Sequence, residues 1–296
     1  QINFERLITL DEEEKINALK ASFEKYAKSY SPYKFNIITK PRGDILLEPF
    51  FTDVHFGLHS WGEETGHDYD LKIAERMYKE AGENLYNKMK HHKADRVLMP
   101  IGNDLLHVDN PHNMTTKGTV QHTDSRWQKA YDVALENVIW SIDLFSTLAP
   151  VDVILVPGNH ATVMETLLGK AVEIFYRNTN HVKVDVRPSP RKYYEWETVL
   201  IGLTHSHQEK KKDLPNIMSV EARPNLQIVE TREWHTGHIH TQVVEEIQGV
   251  VIRSFPALAL SDSWHHGKGY KGNLHAVQGL VFSRDGFESS YIGRTA

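Results

Sequence analysis

The chain has 296 residues, 40% hydrophobic and 10% aromatic, enough for a sizeable core in one large or two ordinary domains. Its formal net charge of -5 argues against a broad basic surface for duplex nucleic acid, although it permits a local patch. It contains no cysteine, which excludes disulfides and thiolate metal sites and fits a reducing compartment, so a cytoplasmic location is expected; its 18 histidines are the conspicuous feature.

The opening "QINFERLITLDEEEK" lacks the basic-then-apolar pattern of a signal peptide. No apolar run approaches the ~18 residues that span a bilayer, so no membrane partner is expected. The first forty residues are charged and end at "KPRGD", which reads as a helical extension and linker over 1–43 ahead of a main domain over 44–296. Beyond it, "DILLEPFF" (44–51), "DRVLMPIG" (95–102), "VDVILVPG" (151–158) and "TVLIGLTH" (198–205) are short apolar runs suited to strands buried on both faces. Between the first two, Leu71, Ala74, Tyr78, Ala81, Leu85 and Met89 fall at helical spacing. Trp127, Tyr131, Leu135, Val138, Ile142 and Phe145 do so between the second and third, where "TDSRWQ" supplies cap-type residues for the helix start. From about 228 the pattern changes to short strands with Gly turns, including a hairpin pivoting near Gln248-Gly249. Alternating strands and helices of this kind predict a layered α/β fold.

The strand ends share a chemistry. The first runs into Asp53 and His55, the second into Asn103 and Asp104, the third into Asn159 and His160, and the fourth into His205 and His207. A later stretch, "REWHTGHIHT", ends in Gly237, His238 and His240. A lone Asn-His or Asp-x-His is more often a turn or a satisfied polar pair than a ligand, but five coincident strand ends are hard to explain that way, because sites in α/β folds assemble at the carboxyl ends of strands. Carboxylate, amide and imidazole donors without thiolate suit Mn²⁺, Fe or Zn²⁺ with open water positions rather than a closed structural zinc site. A carboxylate between two ions about 3.5–4 Å apart allows a bridging hydroxide and a clamp on a phosphoryl group.

In order along the chain, Asp-x-His, Gly-(Asn)-Asp, Gly-Asn-His, a strand-borne His and Gly-His-x-His resemble the motifs of the calcineurin-like metallophosphoesterase superfamily over about residues 45–245. That resemblance implies a four-layer α/β/β/α sandwich with two divalent transition-metal ions, Mn²⁺ first among the candidates and Zn²⁺ or Fe as alternatives. It implies that Asp53, His55 and His240 hold one ion, that Asn159, His205 and His238 hold the other, and that Asp104 bridges them. His160 becomes the histidine outside the ligand set, protonating the leaving oxygen or stabilising phosphoryl charge, while a metal-bound hydroxide attacks phosphorus. Three departures bear on this transfer. The family reads Gly-Asp-x-x-Asp where this chain has "GNDLLH", so Asn103 competes with Asp104 as the bridge, although a neutral amide leaves too little negative charge for two cations. His107 stands at the place of the second acid. Ala161 stands where an acid follows Gly-Asn-His, leaving the partner of His160 unidentified, and in "LTHSH" His207 remains an alternative to His205.

Between Asp104 and Thr123 lie about twenty polar, His-bearing residues without a regular pattern, which suggests a substrate loop containing His107. "SDSWHHGKGYKGN" (261–273) interleaves Trp264, His265 and Tyr270 with lysines and glycines, a composition suited to stacking on bases and touching phosphates. The run "HQEKKKD" (207–213) is either extra positive charge near the substrate or an ordinary solvated face. The chain also resembles phosphoesterases of phages and prophages that carry similar "TTKGT" and "DSRW" stretches. The expected substrate is a nucleotide or the end of a single-stranded nucleic acid, with exonuclease-like activity; the alternatives are a small-molecule phosphomonoesterase and a silent metal-binding scaffold. Oligomeric state does not follow from the sequence.

Overall fold

The computed structural model describes residues 35–41, 43–223, 228–270 and 272–295. Of the extension expected over 1–43, residues 1–34 and 42 lie outside them. The residues from Asn36 to Ala296 form one compact unit, tied in at its start by the Ile38 amide, which donates to the Ser146 carbonyl at 2.9 Å.

In chain order the described elements begin with β1 (Ile45–Phe50), α1 (Gly62–Thr65), α2 (Leu71–Met89), β2 (Ala94–Gly102), α3 (Trp127–Phe145) and β3 (Val151–Val156). Next come α4 (Thr162–Tyr176), β4 (Val182–Asp185), β5 (Arg191–Trp196), β6 (Val199–Thr204), α5 (Leu214–Glu221) and β7 (Thr231–Thr236). The hairpin β8 (Val243–Ile247) and β9 (Val250–Ser254), α6 (Ser263–Gly267), β10 (Val277–Ser283) and β11 (Gly286–Gly293) complete them. One sheet has the order β11-β10-β1-β2-β3-β4, parallel from β1 to β4; the other has the order β5-β6-β7-β9-β8, parallel across β6, β7 and β9.

The two sheets meet face to face. Leu46 and Phe50 of β1, Leu98 of β2, Ile154 of β3, Ile201 and Leu203 of β6, and Phe255 just beyond β9 form one buried cluster between them. Helices α2, α3 and α4 cover the outer face of the first sheet, and α5 covers the second through Leu214 and Met218 against Leu200, Trp234 and Ile252. The layers are therefore α/β/β/α, as expected. The helical stripes explain why. Leu71, Ala74, Tyr78, Ala81, Leu85 and Met89 of α2 are all buried, and each large side chain among them contributes roughly 1.5–3 kcal/mol by leaving water.

The start of α3 differs from expectation. It begins at Trp127, which is only half-buried, and its cap residue Arg126 makes no side-chain cap. Asp124 instead accepts from the Leu71 amide at 2.9 Å, so it helps to cap α2, whose own N-cap Asp70 accepts from Ile73 at 2.7 Å. Local spacing shows which residue can cap, whereas tertiary packing decides which helix end receives it. The Gln248-Gly249 pivot is observed, with positive φ at both residues, the geometry that lets two residues join antiparallel strands.

Candidate metal centre

The backbone between strand and ligand is unusual at four of the five contributing ends, those after β1, β2, β6 and β7. Asp53, His55, Asn103, Asp104, Ser206, His238 and His240 all have φ between 49° and 70°. For residues with a Cβ this left-handed region costs on the order of 1 kcal/mol each, and it persists only where surrounding structure over-determines it. Here the over-determination is visible. The turns after β1 and β2 are bonded to each other, Asp53 N to Asn103 O at 2.9 Å and Phe56 N to Leu105 O at 2.8 Å. The β2 turn is in turn held to β3, Asn103 N to Val156 O at 2.6 Å. Two glycines allow the close approach: a Cβ on Gly158 would collide with the Asp104 carboxylate, and one on Gly237 would lie 2.7 Å from Asp53 Oδ2.

The side chains converge in three groups, Asp53, His55 and His240 in one, Asp104, His205 and His238 in the second, and His107 and His160 with the same His55 in the third, each with its donor atoms within 4.8 Å of one another; the first two contain a carboxylate. In the first, His240 Nε2 lies 3.1 Å from Asp53 Oδ1, and His55 Nε2 lies 3.3 Å from His240 Nε2. In the second, His205 Nε2 lies 2.9 Å from Asp104 Oδ2 and 3.0 Å from Asn159 Oδ1. Asn103 takes the other face of that ring, its Oδ1 2.5 Å from His205 Nδ1. The carboxylate beside Nε2 thus belongs to Asp104, and Asn103 orients the imidazole from behind. His207 is half-buried to the side, its ring centroid 5.4 Å from that of His205.

The donor set suits divalent cations. Burial and the neighbouring His160 charge hold His55 well below the usual imidazole range, and burial with His205 pushes His238 down to about 4, so both are neutral with free lone pairs. Burial alone would raise Asp53 and Asp104, but His240 beside the first and His205 beside the second outweigh it and keep both ionised. The same attraction to Asp104 overcomes burial at His205 and raises it to about 9. Two fully buried carboxylates with histidine as their facing positive charge form an electrostatic arrangement that cations would complete. Two buried polar atoms beside them, Asn103 Nδ2 and His107 Nε2, have no hydrogen-bond partner among the described residues.

His160 and its surroundings answer a question that the sequence left open. Its Nδ1 donates to the carbonyl of His107 at 3.0 Å, and its ring stacks on His107 with centroids 5.2 Å apart. A backbone carbonyl thus does what an acid after Gly-Asn-His would do. His107 also reaches His55, with the two Nδ1 atoms 3.3 Å apart, so its side chain supports a ligand group from within the protein.

Glu165, absent from the sequence reading, is fully buried below Asp104 and accepts from the amides of Leu105 and Gly158, both at 2.7 Å. Burial first, then the charge of Asp104, raises it to about 8. A single Glu one turn into an amphipathic helix carries no periodic signal of such a role.

Above the cluster opens a cleft of about 1010 Å³ reached by Asp104, His107, His160, His238 and His240. Its rim includes Val120, Gln121 and His122 of the irregular loop, together with Trp264, His265 and Tyr270. His265 Nδ1 lies 2.7 Å from Asp262 Oδ1, and its ring stacks on His240 at 4.8 Å. Trp264 and Tyr270 are 58% and 53% exposed, so their rings are available to a ligand. The segment is anchored to the α1 region by Ser60 Oγ donating to Ser261 O at 3.0 Å. No lysine of 207–213 lines this cleft, and Lys211 pairs with Glu245 at 2.7 Å, so that run is a solvated face. Lys271 lies outside the described residues.

No family model matches the chain, and no curated protein matches it. Similar solved structures include the phosphoesterase YfcE from E. coli, with TM-score 0.40, 13% identity, and coverage of 84% of this chain and all of that one. An archaeal phosphodiesterase has TM-score 0.38 and 9% identity, covering 83% and 99% of the two chains. Vps29 from Entamoeba histolytica complexed with zinc has TM-score 0.35 and 12% identity, covering 84% and 99%. Superpositions this loose identify no residue role in this chain, and the functional reading stands on the cluster itself. Among the described residues no helix is long and apolar enough to cross a membrane.

Proposed function

We propose that the chain is a dimetal-dependent phosphoesterase of the calcineurin-like type that hydrolyses phosphodiester bonds. The observation that carries this reading is the convergence of Asp53, His55 and His240, and of Asp104, Asn159, His205 and His238, past the strand ends and beneath an open cleft. Asp53, His55 and His240 would hold one ion and Asn159, His205 and His238 the other, with Asp104 as the carboxylate they share. When bound, such ions supply Lewis acidity toward the phosphoryl oxygens and a lowered pKa for coordinated water, with Mn²⁺ our first choice and Zn²⁺ or Fe the alternatives.

The protein's own groups do the rest. The His107 carbonyl can only accept, so the Nδ1 proton of His160 is engaged there and Nε2 is the ring nitrogen left to give a proton to the leaving oxygen in the cleft. Asp104 is fixed from two sides, Oδ1 by the His160 amide at 2.8 Å and Oδ2 by His205. Trp264 and Tyr270, with His265 and His107 deeper in the cleft, form a surface for the group attached to the phosphate. Exposed aromatic rings favour a base, which makes nucleotides or single-stranded nucleic-acid ends the preferred substrates and exonuclease-like action their natural form.

The test is metal content and turnover together. After Mn²⁺ loading, elemental analysis should find two ions per chain, and bis-p-nitrophenyl phosphate should be hydrolysed only by the loaded protein. One ion or none, with no turnover, removes the dimetal reading.

A further inference from the structure

Below the cluster, inside the sheet interface, sits a second set of buried acids and bases. His235 of β7 is bound at both nitrogens, Nδ1 to Glu48 Oε1 of β1 at 2.9 Å and Nε2 to Glu233 Oε2 at 3.1 Å. Arg253 of β9 forks onto Glu233, with Nε at 2.5 Å from Oε2 and Nη2 at 3.1 Å from Oε1, and its guanidinium lies 4.0 Å over the Phe287 ring of β11. Glu48, Glu233 and His235 are all buried, and Phe255 and Phe282 flank the His235 ring.

Sequence spacing gives this set its meaning. Glu48 lies five residues before Asp53 on β1 and its turn, and His235 lies five residues before His240 on β7 and its turn. The two Asp/Glu-His contacts, Glu48 to His235 at 2.9 Å and Asp53 to His240 at 3.1 Å, therefore join the same pair of chain segments twice, one strand from each sheet. Around them the interface is apolar, and apolar contact is non-directional, so it fixes how far apart two sheets lie better than how they slide. A charged hydrogen bond has one favoured geometry.

We propose that the Glu48-His235 pair is a positioning device, locking β1 to β7 at the offset where Asp53 and His55 meet His240. The proposal rests on the reading of those three residues as a metal site. Stability alone is a poor reason for the pair: Glu48 Oε2 has no hydrogen-bond partner, and apolar residues of similar volume often match or exceed a buried ion pair in stability. Between Glu48 and Glu233, burial is outweighed and His235 is raised to about 9, so it donates from both nitrogens at neutral pH.

The experiment uses the full chain with Mn²⁺ alone, titrated by calorimetry, and the double substitution Glu48→Met with His235→Leu. The double variant should keep a wild-type Tm, because its interface is filled, while one of the two binding steps weakens at least about tenfold and the other stays within about twofold; removed supporting partners commonly cost ~10–100-fold in metal affinity. Glu48→Gln, which keeps shape and removes charge, should weaken the same step. Two steps unchanged in a variant with wild-type Tm would overturn the proposal, as would both steps weakening in proportion to a lost Tm, since that is a purely structural role. If neither variant folds, the pair is a requirement of the fold and the proposal also fails. A wild-type chain that binds fewer than two ions fails differently, because it removes the metal reading before any substitution is made.

Discussion

Two buried clusters in this molecule use the same chemical vocabulary with different results. The strand-end cluster and the Glu48-His235-Glu233-Arg253 set both pair carboxylates with imidazoles inside the protein, at contacts of 2.9 to 3.1 Å. The lower set stands on regular strand backbone with two acids against two bases, and none of its four residues lines the cleft above the upper cluster. The upper one stands on seven left-handed residues, has two orphaned polar atoms beside it, and opens to solvent. A cluster of acids and histidines is therefore not a site by composition. What distinguishes the site is its position past the strand ends, its stored backbone strain and its opening to solvent.

Asp104→Asn breaks the comparison most severely, because it removes the charge on which the upper cluster is built. Metal content should fall below two ions per chain and kcat/KM should drop by about 10³-fold or more, the loss expected when several kcal/mol of charge stabilisation disappear. His160→Ala separates chemistry from binding in the same cluster. It should retain both ions yet lose on the order of 10²–10⁴ in kcat. Equal metal content in the two variants, measured by elemental analysis, would refute the division of roles.

Much of the upper cluster was legible in the sequence because each donor follows an apolar run, and period-two and period-3.6 patterns locate such runs well. Spacing alone leaves the choices between His205 and His207 and between Asp104 and Asn103 open; folding puts His205 Nε2 beside Asp104 and its Nδ1 beside Asn103. Three things were not legible. The carbonyl of His107 that holds His160 belongs to no side-chain pattern. Glu165 and Asp124 act on segments distant in sequence, so their partners exist only after folding. Glu48 and His235 sit inside strand runs where a polar residue reads as solvent-facing, yet a sheet covered on both faces leaves it no solvent.

Besides its effect on metal binding, the lower set should show in the pH dependence of stability. The groups facing His235 are Glu48, Glu233 and, through Glu233, Arg253. Its folded value of about 9 exceeds the ordinary 6.5, so its contribution is complete below about pH 6.5 and is lost as pH rises through about 9. His205, also raised to about 9, and Glu165, raised to about 8, titrate in the same window of the metal-free chain, so the share of His235 is read as a difference. Urea unfolding of His235→Gln should lose on the order of 2–3 kcal/mol less across that window than the unsubstituted chain does. An unchanged slope in the variant would assign the titration elsewhere.

The smallest effect concerns the opening that only the upper cluster possesses. Stacking on an aromatic side chain is worth about 1–3 kcal/mol per base, and it costs a substrate without a base nothing to forgo it. Trp264 and Tyr270, with ring centroids 6.0 Å apart and more than half exposed, are placed for it on the cleft rim. Replacing both with Ala should slow hydrolysis of a short single-stranded oligonucleotide about tenfold or more, while bis-p-nitrophenyl phosphate, which needs only the metal centre, changes little. Equal losses on both substrates would mean that the 261–273 segment supports His240 through His265 rather than reading the substrate. The net charge of -5 adds a control, since a chain without a broad basic surface should not favour duplex. Faster cleavage of a blunt duplex than of its separated strand would reject the electrostatic half of the argument and leave the stacking half to be judged by the two substitutions.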